Sequence, residues 1–387
     1  MLQLIIGEDN LMTEKEIKEL RRRFNAEKTN MTTVRGCMIN EKKEIVTRFT
    51  QSITLSAPEE SAKLMAIMKK CLSGSRGTNL IDIVFRTEQV VKSEEHELLM
   101  RLKTSALKDE EAVEALYAKI AENYVTDSKY IVLLSSESYD VFGYHEDGKR
   151  KEDSDWTYSY IVCAICPMKT TKPELSFITY DNAFKTVSPS SVISSPNAGF
   201  LFPAFDNRAE NIYNALFYAR DTHGGYDELI DALFKTEPPM PAAVQEETFA
   251  DCLRETVGKE YGIDIIRAVH EQIEEVLEEH KISREEDEPE LSRENIAHML
   301  KNGGAEDSAV EAFERKYDEE FGSDAMIKPQ NIVNTRRFEV ETPDVTIRVN
   351  PQRRDLVSTR IIDGTKYILV RAAEGVCVNG VDIDISE

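Results

Sequence analysis

Apolar positions recur every three to four residues in several runs of this chain, and a helix-start signal precedes most of them. Thr13-Glu14-Lys15-Glu16 has the spacing of a capping box, and Ile17, Leu20 and Phe24 follow on one helical face. Ser56-Ala57-Pro58-Glu59 has the same form, ahead of Leu64, Ile67, Met68 and Cys71. Further helices are predicted over residues 93–105 and 109–124, the second with Val113, Leu116, Tyr117 and Ile120 inward, and over 208–219 and 226–235. Between them lie short apolar or alternating stretches: 34–38 with 45–49, then 80–85, 130–134, 158–166 and 175–180. Strands in groups with helices between them predict an α+β fold with a mixed, largely antiparallel sheet rather than a βαβ repeat.

Residues 236–243 (TEPPMPAA) hold three Pro in eight positions and mark a boundary. Beyond it, helical spacing returns over 244–261, 264–280, 292–301 and 307–321, with a turn at Gly303-Gly304. From Phe338 the period falls to two. Residues 338–341, 345–349, 366–371 and 376–385 read as strands, and Asp363-Gly364 and Asn379-Gly380 as hairpin turns. The expected organisation is an α+β domain over 12–235, an acidic helical module over 244–325 and a small β-rich C-terminal region over 326–387. Residues 2–10 read as a poorly ordered extension.

Charge follows this division. Residues 237–325 hold 26 acidic against 9 basic residues, a net of −17 in a chain of −23. Residues 1–236 hold 36 and 30, and residues 326–387 hold 9 and 9. Such a surface argues against indiscriminate polyanion binding. The 387 residues are 41% apolar and 31% charged, as in folded globular chains. Apolar runs such as 160–166 are far shorter than the roughly 20 residues a membrane-spanning helix needs. The first ten residues have no basic flank and no small-residue cleavage site, so a cytoplasmic location with reduced thiols is expected. Cys37, Cys71, Cys163, Cys252 and Cys377 read as small core hydrophobes.

Few groups carry a chemical signal. Cys163 and Cys166 form a CxxC inside a strand pattern, where residues three apart face opposite ways, so core packing is the reading. The stretch 73–79 (SGSRGTN) could cradle a phosphate with Arg76. It runs from helix to strand, however, the reverse of a phosphate loop, and reads as a helix-ending turn. Residues 199–218 are the densest aromatic stretch. Asp206 or Asn207 is expected to cap the following helix, and Asp206, Arg208, Asn211 and Tyr213 are a candidate polar cluster lining a pocket. Asp206 and Arg208 would then do general acid–base or anion-binding work. Among six His, none forms HExxH. His270 and His280 stand about 15 Å apart on a helix, too far for one metal, so no metal or cofactor is expected.

Ile266, Val269, Ile273, Val276 and His280 make an a/d seam over two heptads. It packs on a helix of the same chain or serves a homodimer or protein partner through helix 264–280. Residues 291–317 have the length of a helix-turn-helix, but Glu306, Asp307, Glu311 and Glu314 would repel phosphates. Arg21, Arg22, Arg23, Arg76, Arg336, Arg337, Arg353 and Arg354 are the candidate anion-binding residues, with Lys42 and Lys43 as a further basic pair.

The strings RRRFN (21–25), RGC (35–37), NEKKEI (40–45), SEEHELLM (93–100), 199–218 and 236–243 together resemble, over nearly the full length, a bacterial family of uncharacterised proteins described as a domain of unknown function. That resemblance implies no activity. From Leu291 onward, helices followed by FEVETPDVTIRVNPQRRDLVSTRIIDGTKYILV are similar to the C-terminal part of bacterial nucleoid-associated proteins. This second likeness implies association with the nucleoid and not an enzyme; such a protein would contact nucleic acid through Arg21–Arg23 and the Arg pairs of the tail. Three functions are therefore in view: a non-enzymatic binding or scaffold protein, a nucleoid-associated protein, and an enzyme with a pocket near 199–218.

Overall fold

Apolar strands from the first part of the chain pair into one antiparallel sheet, covered on both faces by the helices that interrupt them. The computed structural model describes residues 11–25, 28–142, 156–171, 173–187, 191–257, 262–283, 288–323, 325–333, 338–372, 375–378 and 381–383. The extension at 2–10, Arg336, Arg337 and the Asn379-Gly380 turn lie outside these residues. The chain divides into two compact units, Met1–Pro241 and Ala242–Glu387.

The first unit runs α1 (Glu14–Arg21), β1 (Thr33–Ile39), β2 (Ile45–Ser52), α2 (Pro58–Lys70), β3 (Leu80–Val84), α3 (Thr87–Lys92), α4 (Glu94–Thr104), α5 (Glu110–Asn123), β4 (Tyr130–Val141), β5 (Trp156–Thr170), β6 (Glu174–Ile178), β7 (Ala183–Val187), β8 (Ser191–Ile193), β9 (Ala198–Phe202), β10 (Ala204–Asp206), β11 (Ala209–Asn211), β12 (Asn214–Ala219) and α6 (Asp227–Phe234). The main sheet has the order β2-β1-β4-β5-β9-β12-β3, with every neighbouring pair antiparallel. On one face Ile17, Leu20, Met65 and Met68 of α1 and α2 pack on Leu133, Val162, Leu201 and Phe205. On the other, Leu99, Leu116, Ile120 and Leu233 of α4, α5 and α6 pack on Cys37, Val132, Phe200 and Phe217. A strand covered on both faces reads as a continuous apolar run, and residues 160–166 of β5 are all buried. Cys163 enters one core and Cys166 the other, as strand geometry requires. Where β9 pairs with β5 beside the end of α2 there is no room for a side chain. A Cβ on Gly199 would lie 2.4 Å from the Cys163 carbonyl oxygen and 2.5 Å from Cys71 Sγ.

The architecture is α+β with a largely antiparallel sheet. Thr13 caps α1 through the expected box, its Oγ1 accepting from the Glu16 N–H while Glu16 accepts from the Thr13 N–H. Four local readings are corrected. Residues 208–219 form β11 and β12, not a helix, because the six consecutively buried residues of β12 fill a slot between β9 and β3. Asp206 and Asn207 therefore cap nothing; Asn207 and Arg208, at φ 47° and 56°, make the turn of the β10–β11 hairpin. Ser56 does not cap α2, whose N-cap is Ala57; the Ser56 hydroxyl donates instead to the Ser52 carbonyl at 2.6 Å. Cys377 is exposed, on a two-stranded hairpin, and is not a core residue.

The second unit runs α7 (Ala242–Thr256), α8 (Gly262–Ser283), α9 (Arg293–Asn302), α10 (Asp307–Glu320), α11 (Pro329–Ile332), β13 (Phe338–Thr342), β14 (Val345–Val349), a 3-10 turn (Pro351–Leu356), β15 (Val357–Ile362), β16 (Thr365–Val370), β17 (Val376–Val378) and β18 (Val381–Ile383). Its strands pair as hairpins, and its core joins Phe249, Cys252, Val269, Ile273, Leu300, Phe313 and Tyr317. Val269 and Ile273 of the a/d seam are thus buried inside their own unit.

Candidate functional site

The polar cluster expected after the aromatic stretch falls into two parts. Asn211 Nδ2 donates to Asp206 Oδ2 at 3.1 Å, and burial raises the Asp206 carboxyl above the ordinary carboxylate range. Arg208 turns to α1, where Nη1 donates to Glu19 Oε2 at 3.0 Å and its backbone N–H to Glu16 Oε1 at 2.9 Å; Nη2 reaches the Phe142 carbonyl at 3.1 Å. Tyr213 is exposed, and its N–H donates to Asn211 Oδ1 at 3.0 Å.

Arg21, Arg23, Arg76, Arg353 and Arg354 are engaged within their own units. Arg21 donates to the Leu72 carbonyl and, at 3.0 Å, to that of Gly74. Arg23 grips Glu137 at 2.6 Å and lies over the Tyr139 ring. Arg76 pairs with Asp82 at 2.8 Å, Arg353 with Asp355 at 3.3 Å, and Arg354 with Glu274. Arg22 is exposed. Arg21, Arg22, Arg23 and Arg76 belong to the first unit, and Arg353 and Arg354 to the second. Among the described residues, no group of three or more His, Cys, Asp or Glu is placed to hold a metal ion, and no helix is long and apolar enough to cross a membrane.

Three cavities differ sharply in lining. One of about 270 Å³ in the first unit is polar, set between the Arg35–Glu110 and Arg48–Glu114 pairs. One of about 680 Å³ between α8 and α9 is rimmed by Glu275, Glu279, Glu290 and Glu294. The third, of about 570 Å³, is walled chiefly by apolar side chains: Phe249 and Leu253 of α7, Ile266 of α8, Ile332 of α11 and Phe338 of β13, with His270 among them and Glu246 and Glu339 also present. None of the three includes Asp206, Arg208, Asn211 or Tyr213.

Helical spacing builds the third cavity. Phe249 and Leu253 stand four apart on α7, and Ile266, His270 and Glu274 stand four apart on α8, so each set forms a stripe. Arg354, from the 3-10 turn, meets the last residue of the α8 stripe: its Nη2 donates to Glu274 Oε1. Its guanidinium carbon lies 5.3 Å from the centroid of Phe338, within cation–π range. Arg354 is only 3% exposed, yet its Nε and Nη1 have no hydrogen-bond partner. Buried polar groups nearly always have one, and a buried donor without an acceptor costs about 1–3 kcal/mol. Burial, and next the nearby Arg354 charge, lower His270 from its ordinary 6.5 to about 4, so the imidazole is neutral near pH 7. Glu339 is held by Arg348 at 3.0 Å, and Glu246 is exposed.

The sequence pointed to Arg354 as part of a surface basic pair; folding carries it inside. His270 enters the sequence reading only as a position too far from His280 to share a metal. Phe249 and Ile266 look like any apolar position of an amphipathic helix, and nothing local marks them as cavity walls.

Residues 12–381 match the family described as a domain of unknown function, DUF4317. No curated protein matches the sequence. Neither finding includes a nucleoid-associated protein, so that second resemblance stands without support.

Proposed function

We propose that this chain, which belongs to the DUF4317 family, is a binding protein whose second unit takes a small, largely apolar molecule into the cavity between α7, α8, α11 and β13. One observation carries the reading: the cavity has the size of a small-ligand site, about 570 Å³, and mostly apolar walls with a few polar groups among them. Binding is favoured over catalysis because the Arg–carboxylate pairs Arg23–Glu137, Arg76–Asp82 and Arg208–Glu19 tie elements of the first unit together. Groups held in this way position the scaffold.

Methyl NMR of the full chain, titrated with octan-1-ol as a neutral apolar probe, tests the proposal. Saturable shifts are expected at the Leu253, Ile266 and Ile332 methyls, and Ile266→Trp, which fills the cavity, should abolish them. Shifts spread over the surface with no saturation would remove this role.

A further inference from the structure

Resting on the proposed ligand role of this cavity, we infer that its ligand carries an acidic oxygen group, a carboxylate in the simplest case, and that Arg354 receives that group at the cavity's end. Each step of four residues along α8 advances about 6 Å. Ile266 and His270 line the cavity, and Arg354 lies behind its wall at Glu274, the next step, against the lining residue Phe338. Glu274 takes one of its nitrogens, Nη2. Phe338, a wall of the cavity, lies against the guanidinium and restricts its orientation. Nε and Nη1 remain as buried donors with no acceptor.

A guanidinium is planar and stays charged, and each of its N–H groups donates well to a negatively charged oxygen, so an acidic group is the partner that its unpartnered donors call for. Neutral His270 adds no positive charge of its own and can give or take one hydrogen bond to the same group. The two lining carboxylates would suit an amine instead. Both are already provided for, however: Glu339 has Arg348, and Glu246 is exposed to water. The free donors of Arg354 have neither, and this difference decides the sign of the ligand.

The test is calorimetric titration of the full chain near pH 7 with octanoate, octan-1-ol and octylamine, which share one apolar body and differ in the head group. Octanoate is expected to bind at one site per chain, at least about tenfold tighter than octanol. Arg354→Met should erase that difference, and Arg354→Lys should restore part of it. Octanoate and octanol binding alike would overturn the acidic-ligand inference and leave the ligand role standing. Octylamine binding tightest would overturn it too and assign the cavity to cations through Glu246 and Glu339. No saturable binding by any of the three would remove the ligand role itself. The ranking on the unaltered chain is decisive even if Arg354→Met fails to fold.

Discussion

Tyr160 donates its hydroxyl hydrogen to Glu137 Oε2 across 2.5 Å, and the two residues stand directly opposite each other on β5 and β4. The other oxygen of this buried carboxylate accepts from Arg23 Nε at 3.0 Å, Arg23 Nη2 at 2.6 Å and the Asn30 N–H at 2.8 Å. A charge taken out of water persists only when its lone pairs are filled, and here one strand residue and the segment after α1 fill them. Tyr160→Phe should therefore cost about 1.5–3 kcal/mol, the worth of a hydrogen bond to a charged group. Glu137→Ala should cost more, about 3–5 kcal/mol, because it strips the partner from Arg23 as well. Urea unfolding followed by tyrosine fluorescence measures both; a Tyr160→Phe midpoint equal to that of the parent chain would contradict the first.

The tight pairing of β9 with β5 beside the end of α2 predicts an outcome at Gly199. A Cβ there meets a backbone oxygen at 2.4 Å and a sulfur at 2.5 Å, and the backbone cannot yield without breaking the pairing of Cys163 with Phe200 and its neighbours. Gly199→Ala should destabilise the first unit by about 3 kcal/mol, the upper end for an overpacked core. Gly375→Ala, with nothing within 4 Å of the new carbon, is the matched control and should leave the melting temperature unchanged.

His270 makes the second unit sensitive to acid. In the unfolded chain the imidazole takes a proton near its ordinary 6.5, whereas in the folded chain it refuses one until about pH 4. Across that interval the unfolded state binds more protons, so stability rises with pH; equivalently, the contribution is complete above 6.5 and is lost as pH falls toward 4. Thermal melts of His270→Leu against the parent chain should show a shallower decline with acid over that window. Parallel curves would remove His270 as the cause.

Arg354 should contribute little to stability for a residue so deeply buried. Its partner Glu274 keeps 23% of its side chain exposed, so removing the guanidinium leaves a carboxylate that water can serve. It also removes two donors that lack acceptors. Arg354→Met is expected to change unfolding free energy by less than about 1 kcal/mol, or to raise it, unlike the 3–5 kcal/mol loss usual on breaking a fully buried pair. Chemical unfolding of the variant, checked by circular dichroism, gives the answer; a loss in the larger range would make Arg354 a structural residue.

Features governed by neighbours a few positions away were readable in the sequence. The capping box at Thr13 and Glu16, the turn joining β1 to β2 and the acid-rich helices of the second unit are of this kind, because backbone capping, turn chemistry and charge counts are local. The run 214–219 shows where local reading stops. An apolar stretch of that length is consistent with a buried helix turn or a doubly covered strand, and only hydrogen bonding to β9 on one side and β3 on the other chose the strand. The candidate site is more remote still. Arg354 and Glu274 are 80 residues apart, and the cavity beside them takes walls from α7, α8, α11 and β13. Whether a charge is a solvated surface group or a buried donor in search of an acceptor depends on what packs around it, and tertiary structure alone decides that.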